Sequence, residues 1–169
     1  MVNLIAIDFE TTGLSANSGD KIVEIGALKF SIENGLTDEY CVLVNPQRPI
    51  PRSAAQIHGI SDAEVKGKDS IDLVWKQFLE WSEGISVLVA HNASFEKKFI
   101  DSIKSESASR FLFLDTLHLS RKVFPRPQVQ NHKLGTLCDY LGISLENAHR
   151  ALPDARATAK LLCRICDVE

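Results

Sequence analysis

Apolar residues occur in short bursts whose period changes along the chain. Leu4-Ile5-Ala6-Ile7 runs into Asp8-Phe9-Glu10 and stops at Thr11-Thr12-Gly13, the pattern of a buried strand followed by a turn. Residues 21–30 and 36–44 are two further runs rich in Ile, Val, Leu and Phe, and Glu33-Asn34-Gly35 between them carries the Asn-Gly signal of a hairpin. Residues 45–53 (NPQRPIPRS) hold three prolines, which donate nothing to a ladder, so an extended surface loop is expected there.

Helical spacing begins after Ser70: Ile71, Val74, Trp75, Phe78 and Leu79 fall at i, i+3, i+4, i+7 and i+8, with Gly84 as the expected stop. A short buried strand is expected at 85–90 and a helix at 93–104, capped by His91-Asn92-Ala93-Ser94. A fifth strand at 111–114 leads into a helix from Asp115, and beyond Pro125 and Pro127 come helices at 132–141 and 152–166. Three strands in a meander, then strands alternating with helices, predict an α/β fold: a mixed five-stranded sheet flanked by helices. With no repeat or linker, 169 residues read as a single domain, 1–169.

Composition narrows the function classes. Apolar residues at 44% and charged residues at 24% exclude a disordered or collagen-like chain. Nineteen Lys and Arg against 22 Asp and Glu give a net charge of -3, so any contact with a polyanion has to be local. Uncharged stretches such as 84–90 fall short of the ~20 apolar residues that cross a bilayer, and the first residues lack a basic leader, so a cytoplasmic protein without a membrane partner is expected. Cys163 and Cys166 form a lone CxxC late in the last expected helix; redox pairs sit at helix starts, so these read as two small apolar residues one turn apart.

The acids are placed less ordinarily. Asp8 and Glu10, two residues apart on one strand, emerge on the same face at the end of an apolar run, so either a pKa rises or a cation bridges them. Glu96 leads the stripe Phe99, Ile100 and Ile103, which puts a carboxylate on the core-facing side of its helix. Asp154 heads Ala157, Leu161, Leu162 and Ile165 in the last helix, five residues after His149. An all-oxygen donor set of this kind suits Mg2+ or Mn2+, and the chemistry it implies is two-metal phosphoryl transfer to water.

DFETTGL (8–14), HNASFEKKF (91–99) and HRALPDARATA (149–159) resemble the three motifs of the DnaQ-like, or DEDDh, 3′-to-5′ exonucleases. NPQRPIPRSAAQIHGISD (45–62), DTLHLSRKVFP (115–125) and HKLGTLCDYLGI (132–143) resemble that family's connecting segments in order and spacing. The resemblance implies an RNase H-like fold and catalysis by Asp8, Glu10, Glu96, Asp154 and His149. In it the four carboxylates hold two Mg2+ or Mn2+ ions, Asp8 bridges them, and His149 is the general base. It departs at one position: the family's second motif carries Asp where this chain has Glu96, and the extra methylene shifts the carboxylate. Activity with a preference for Mn2+ is expected, beside the alternative of a catalytically weak module that binds 3′ ends.

The same resemblance places Thr11, Thr12, Leu14, His58, Ile60, Asn92 and Phe95 around the terminal nucleotide; for His58 a structural role in its loop is an equal alternative. Between Asp115 and Asp139 there is no acid but there are Arg121, Lys122, Arg126 and Lys133, a segment that either grips a nucleic-acid backbone or is a solvated face. The expected partner is single-stranded nucleic acid with a free 3′ end. DNA is favoured slightly over the alternative of RNA trimming; a contact with a 2′ hydroxyl, which would separate the two, is not marked in the sequence. The chain ends at Glu169, just past the last expected helix and without the further C-terminal segment of the family's proofreading subunits. A stand-alone trimming or repair enzyme, a nuclease working beside another nucleic-acid machine, or a domain of a longer protein fits that ending better than a proofreading subunit; a polymerase or other nucleic-acid-processing protein is the protein partner considered.

Overall fold

A computed structural model describes residues 3–103 and 110–167. Five strands, β1 (Leu4–Thr11), β2 (Ile22–Ser31), β3 (Gly35–Leu43), β4 (Val87–Ala90) and β5 (Leu112–Asp115), form one sheet in the order β3-β2-β1-β4-β5. β1, β2 and β3 are the expected antiparallel meander, and β4 and β5 run parallel to β1. The first hairpin turns through three residues, not through an Asn-Gly pair: Ser31 faces Gly35, whose φ of 72° takes the left-handed step, and the Ser31 hydroxyl oxygen accepts from the Asn34 N–H.

The period of two along β1 sorts its side chains. Ile5, Ile7 and Phe9 pack with Val74, Trp75 and Phe78 of α3 (Ile71–Trp81) and with Phe99 and Ile100 of α4 (Ser94–Asp101). Leu4 and Ala6 point to the opposite face, under Ala155, Ala159 and Leu162 of α7 (Ala151–Cys166). The alternation sends Asp8 and Glu10 to that same second face. Ala157, Leu161 and Ile165 on the far side of α7 hold α6 (Leu134–Leu141) through Leu137 and Cys138, so this helix is buried from two directions. Replacing a side chain as enclosed as Trp75, 1% exposed, by Ala costs about 3–5 kcal/mol in such a core.

The proline segment runs as the expected loop through Pro51 and departs from expectation only at Arg52 and Ser53, which are helical. After Asn45, which bridges to Ser70, the chain enters α1 (Arg52–His58) and α2 (Asp62–Val65). Pro51 stands at the cap of α1, where a missing N–H costs nothing. Ser61 donates from both its N–H and its hydroxyl to Glu64 Oε2 at the start of α2. The remaining helix, α5 (Thr116–Val123), starts where expected, with the Asp115 carboxylate accepting from the Leu117 and His118 N–H groups. α4 ends at Asp101; Lys104, the expected end, lies outside the described residues. Burial raises the pKa of the Cys163 thiol, the opposite of a reactive cysteine, and no disulfide joins it to Cys166. Among the described residues no helix is long and apolar enough to cross a membrane.

Candidate functional site

Asp8 sits opposite Gly26 in the β1–β2 ladder, and Glu10 sits opposite Glu24. A β-carbon at Gly26 would overlap the Ala151 carbonyl carbon and the Leu152 nitrogen, so only glycine lets the start of α7 rest on the sheet there. That approach delivers Asp154, in the first turn of α7, to the acids of β1. Ligand oxygens of Asp8, Glu10 and Asp154 lie within 4.8 Å of one another.

His149 precedes α7 in a left-handed conformation, with φ 66°, and its N–H donates to Asp154 Oδ2 at 3.2 Å. The imidazole belongs to an exposed residue, beside a carboxylate whose other oxygen, Oδ1, is buried without a hydrogen-bond donor. Glu96 enters from α4. It is 2% exposed, its Oε2 also lacks a donor, and it lies outside the three-acid group while bearing electrostatically on Asp8.

Burial raises all four acids, and repulsion from neighbouring acids of the site adds to it at Asp8 and Glu10. Asp8 is pushed well above the usual carboxylate range by burial and then by Glu96, Asp154 and Glu10. Glu10 is pushed to about 8 by burial, then by Asp154 and Glu24. Burial also takes Glu96 to about 8 and raises Asp154. Carboxylates held this close, with two oxygens lacking donors, fit a hard divalent cation: it supplies the missing partner to each oxygen and offsets the repulsion.

The other expected site residues are placed as follows. Thr11 and Thr12 are buried at the end of β1, where their hydroxyls donate to Gly13 O and Asp20 Oδ1. Leu14, just beyond, is 86% exposed, an apolar side chain open to a flat ring. His58 is buried with Nδ1 accepting from the Ile60 N–H, and its Nε2 faces the Thr11 backbone without a well-formed hydrogen bond. Ile60 is fully enclosed among Val23, Ile50, Ala54 and Val65, so it shapes this loop from within. Asn92 is exposed at φ 73°, its N–H held by Asp115 Oδ1, and the ring of Phe95 packs 4.9 Å from Phe99.

Sequence reasoning passed over Glu24, Gly26 and Arg150. Glu24 is 1% exposed and is gripped by Arg150, which makes it the partner that a lone charge inside the apolar run IVEIGA requires. That isolated charge was the available signal. Nothing in the sequence marks Gly26, because the backbone it admits comes from 125 residues further on.

Residues 5–162 match the RNase T family, described as Exonuclease. Over 162 residues the chain is 41% identical to a DNA polymerase III PolC-type of Listeria innocua, which covers 94% of this chain and 11% of that protein. It thus spans about a tenth of the length of that relative. Its fold is similar to that of Exonuclease X in complex with 5′ overhanging duplex DNA (TM-score 0.78, 27% identity, 100% of this chain and 93% of the other). It is also similar to the nuclease domain of 3′hExo, a DEDDh family member, bound to rAMP (TM-score 0.80, 19% identity, 98% and 92%). With the acids and histidine converging as described and the family matched over nearly its whole length, the chain belongs to the DEDDh, or DnaQ-like, family of 3′-to-5′ exonucleases.

Proposed function

We propose that this exonuclease removes nucleoside monophosphates from the 3′ end of single-stranded DNA, in the setting of a PolC-type polymerase and therefore in the cytoplasm. The observation that carries the reading is the convergence of Asp8, Glu10 and Asp154 within 4.8 Å, with His149 tethered to Asp154. The 41% identity to a PolC-type polymerase favours DNA and a polymerase partner. The chain acts as one exonuclease domain in this reading.

Asp8, Glu10, Asp154 and Glu96 would hold two Mg2+ or Mn2+ ions, the hard cations that an all-oxygen donor set suits. When bound, such ions polarise the scissile phosphate and lower the pKa of water. The residues of the chain do the rest. His149 takes the proton of the attacking water at a ring nitrogen, and its backbone N–H, donated to Asp154, ties the residue to the acid group. Leu14 offers an apolar face to the terminal base, with Thr11, Thr12, His58, Asn92 and Phe95 around it and Ile60 supporting the loop from below.

Incubation of matched 3′-labelled DNA and RNA oligonucleotides with Mg2+, Mn2+ or EDTA tests this. Release of labelled mononucleotide from DNA that EDTA abolishes supports the reading. Faster release from RNA transfers the substrate to the trimming class, and binding without release overturns the reading. In the same assay His149→Ala is expected to slow release by ~10²-fold or more while oligonucleotide binding persists.

A further inference from the structure

Two imidazoles organise the region beyond the carboxyl ends of β4 and β5. His91 Nε2 lies 2.8 Å from the His132 carbonyl, and Nδ1 lies 3.0 Å from Thr116 Oγ1. His132 Nε2 in turn lies 2.8 Å from the Phe124 carbonyl. Each Nε2 faces a carbonyl and so carries a proton. Together they pin the loop after α5 to the end of β4 and the start of α5, giving the wall of a cavity fixed backbone support.

That cavity, about 450 Å3, is lined by His91, Asn92, Arg121, Arg126, His132 and Lys133, among others, and by no acid among the described residues. Arg48, Arg150, Arg156 and Arg164 each pair with a carboxylate, whereas no described carboxylate lies within ion-pair distance of Arg121, Arg126 or Lys133. Three unneutralised cations converging on one concavity, in a chain of net charge -3, make a local anion site. Its position links it to the acids. Asn92 lines the cavity and leads directly into α4, which carries Glu96, and Asp115 holds the Asn92 N–H. β4 is the parallel neighbour of β1, so the cavity opens at the same end of the sheet as Asp8 and Glu10.

We propose that Arg121, Arg126 and Lys133 bind backbone phosphates of the retained strand, upstream of the bond being cut, and so set how binding grows with oligonucleotide length and falls with salt. This rests on the exonuclease reading. The phosphate of a released nucleotide shares the same chemistry, and the retained strand is favoured because three cations along a cavity of this size exceed the needs of one monophosphate.

The test measures binding by fluorescence anisotropy in EDTA, where no cleavage intervenes, with a labelled twelve-residue oligothymidylate and with competing thymidine monophosphate. The full chain is compared with Arg121→Ala/Arg126→Ala and Arg121→Lys/Arg126→Lys. The alanine variant is expected to bind the oligonucleotide at least ~10-fold more weakly, with the slope of log K against log salt flattened by about 1.4, or ~0.7 for each lost contact. Competition by the monophosphate and the melting temperature are expected to stay as in the wild type, and the lysine variant to keep the slope. Unchanged oligonucleotide affinity and slope in the alanine variant would overturn the proposal, as would weakened binding of the monophosphate alone. Absence of cleavage by the wild type in Mn2+ would instead contradict the exonuclease reading, while the anisotropy still decides the cavity.

Discussion

Arg150 holds Glu24 from two nitrogens, Nε at 3.0 Å from Oε2 and Nη2 at 2.5 Å from Oε1, and the same carboxylate accepts the Ala151 N–H at 3.0 Å. One buried acid on β2 thus fixes the residue after His149 and caps the helix that carries Asp154. The arrangement is a positioning device for the base and for one of the acids.

Arg150→Ala leaves a buried carboxylate without its cation. Because the arginine side chain is 43% exposed and water can take its place in part, the expected loss of stability is about 2–3 kcal/mol, read by urea denaturation. The loss in kcat is expected to exceed the loss in KM, since substrate contacts survive while His149 and Asp154 lose their anchor. Arg150→Lys keeps one charge without the fork and is expected to fall between. Equal kcat in all three proteins would remove the positioning role.

Gly26→Ala places a methyl group against the backbone of Ala151 and Leu152. Overpacking of this kind costs ~1–3 kcal/mol, and here the relief has to come from lifting α7 away from β1. Lower thermal stability is therefore expected together with weaker Mn2+ binding. A variant that melts and binds as the wild type would show that the helix start does not set the acid geometry.

Glu96 is the family's departure, and its enclosure defines a pair of substitutions. Glu96→Asp is expected to keep or raise Mg2+-supported release. Glu96→Gln is expected to weaken divalent binding by ~10–100-fold while relieving the repulsion on Asp8. Collapse of activity in the aspartate variant, with the fold intact, would mean that the pocket is built around the longer side chain.

What the sequence revealed, and what it did not, follows from the range of the interactions. The acids of β1 were legible because a period of two fixes their face, and Asp154 because a period of 3.6 fixes its own. The prolines do mark a loop, but α1 is too short to show a clear apolar period, and only Pro51 at its cap hints at a helix start. For α2 the signal was present, Ser61 and Glu64 in S-x-x-E spacing. The Glu24–Arg150 clamp joins residues 126 positions apart, and no local pattern encodes such a pairing.

The raised acids give the metal-free chain a definite pH dependence. Glu10 and Glu96 titrate at about 8 when folded against 4.5 as the ordinary value, so the native state holds their protons more tightly than the unfolded chain does. Stability from these protons is fully present below 4.5 and is lost as pH climbs toward 8. In EDTA the melting temperature is expected to fall across that window. Millimolar Mn2+ is expected to restore it at the upper end and to change little near the lower end. A metal-induced shift of equal size at both ends would contradict the cause assigned to the raised acids.

Calorimetric titration of Mn2+ into the wild type and Asp8→Asn tests the central claim most directly, because Asp8 faces every other acid of the pocket. The wild type is expected to bind two ions saturably, and the variant to bind at least ~10-fold more weakly. Equal binding by both proteins, or no saturable binding at millimolar Mn2+, would contradict an anionic pocket built to hold catalytic cations.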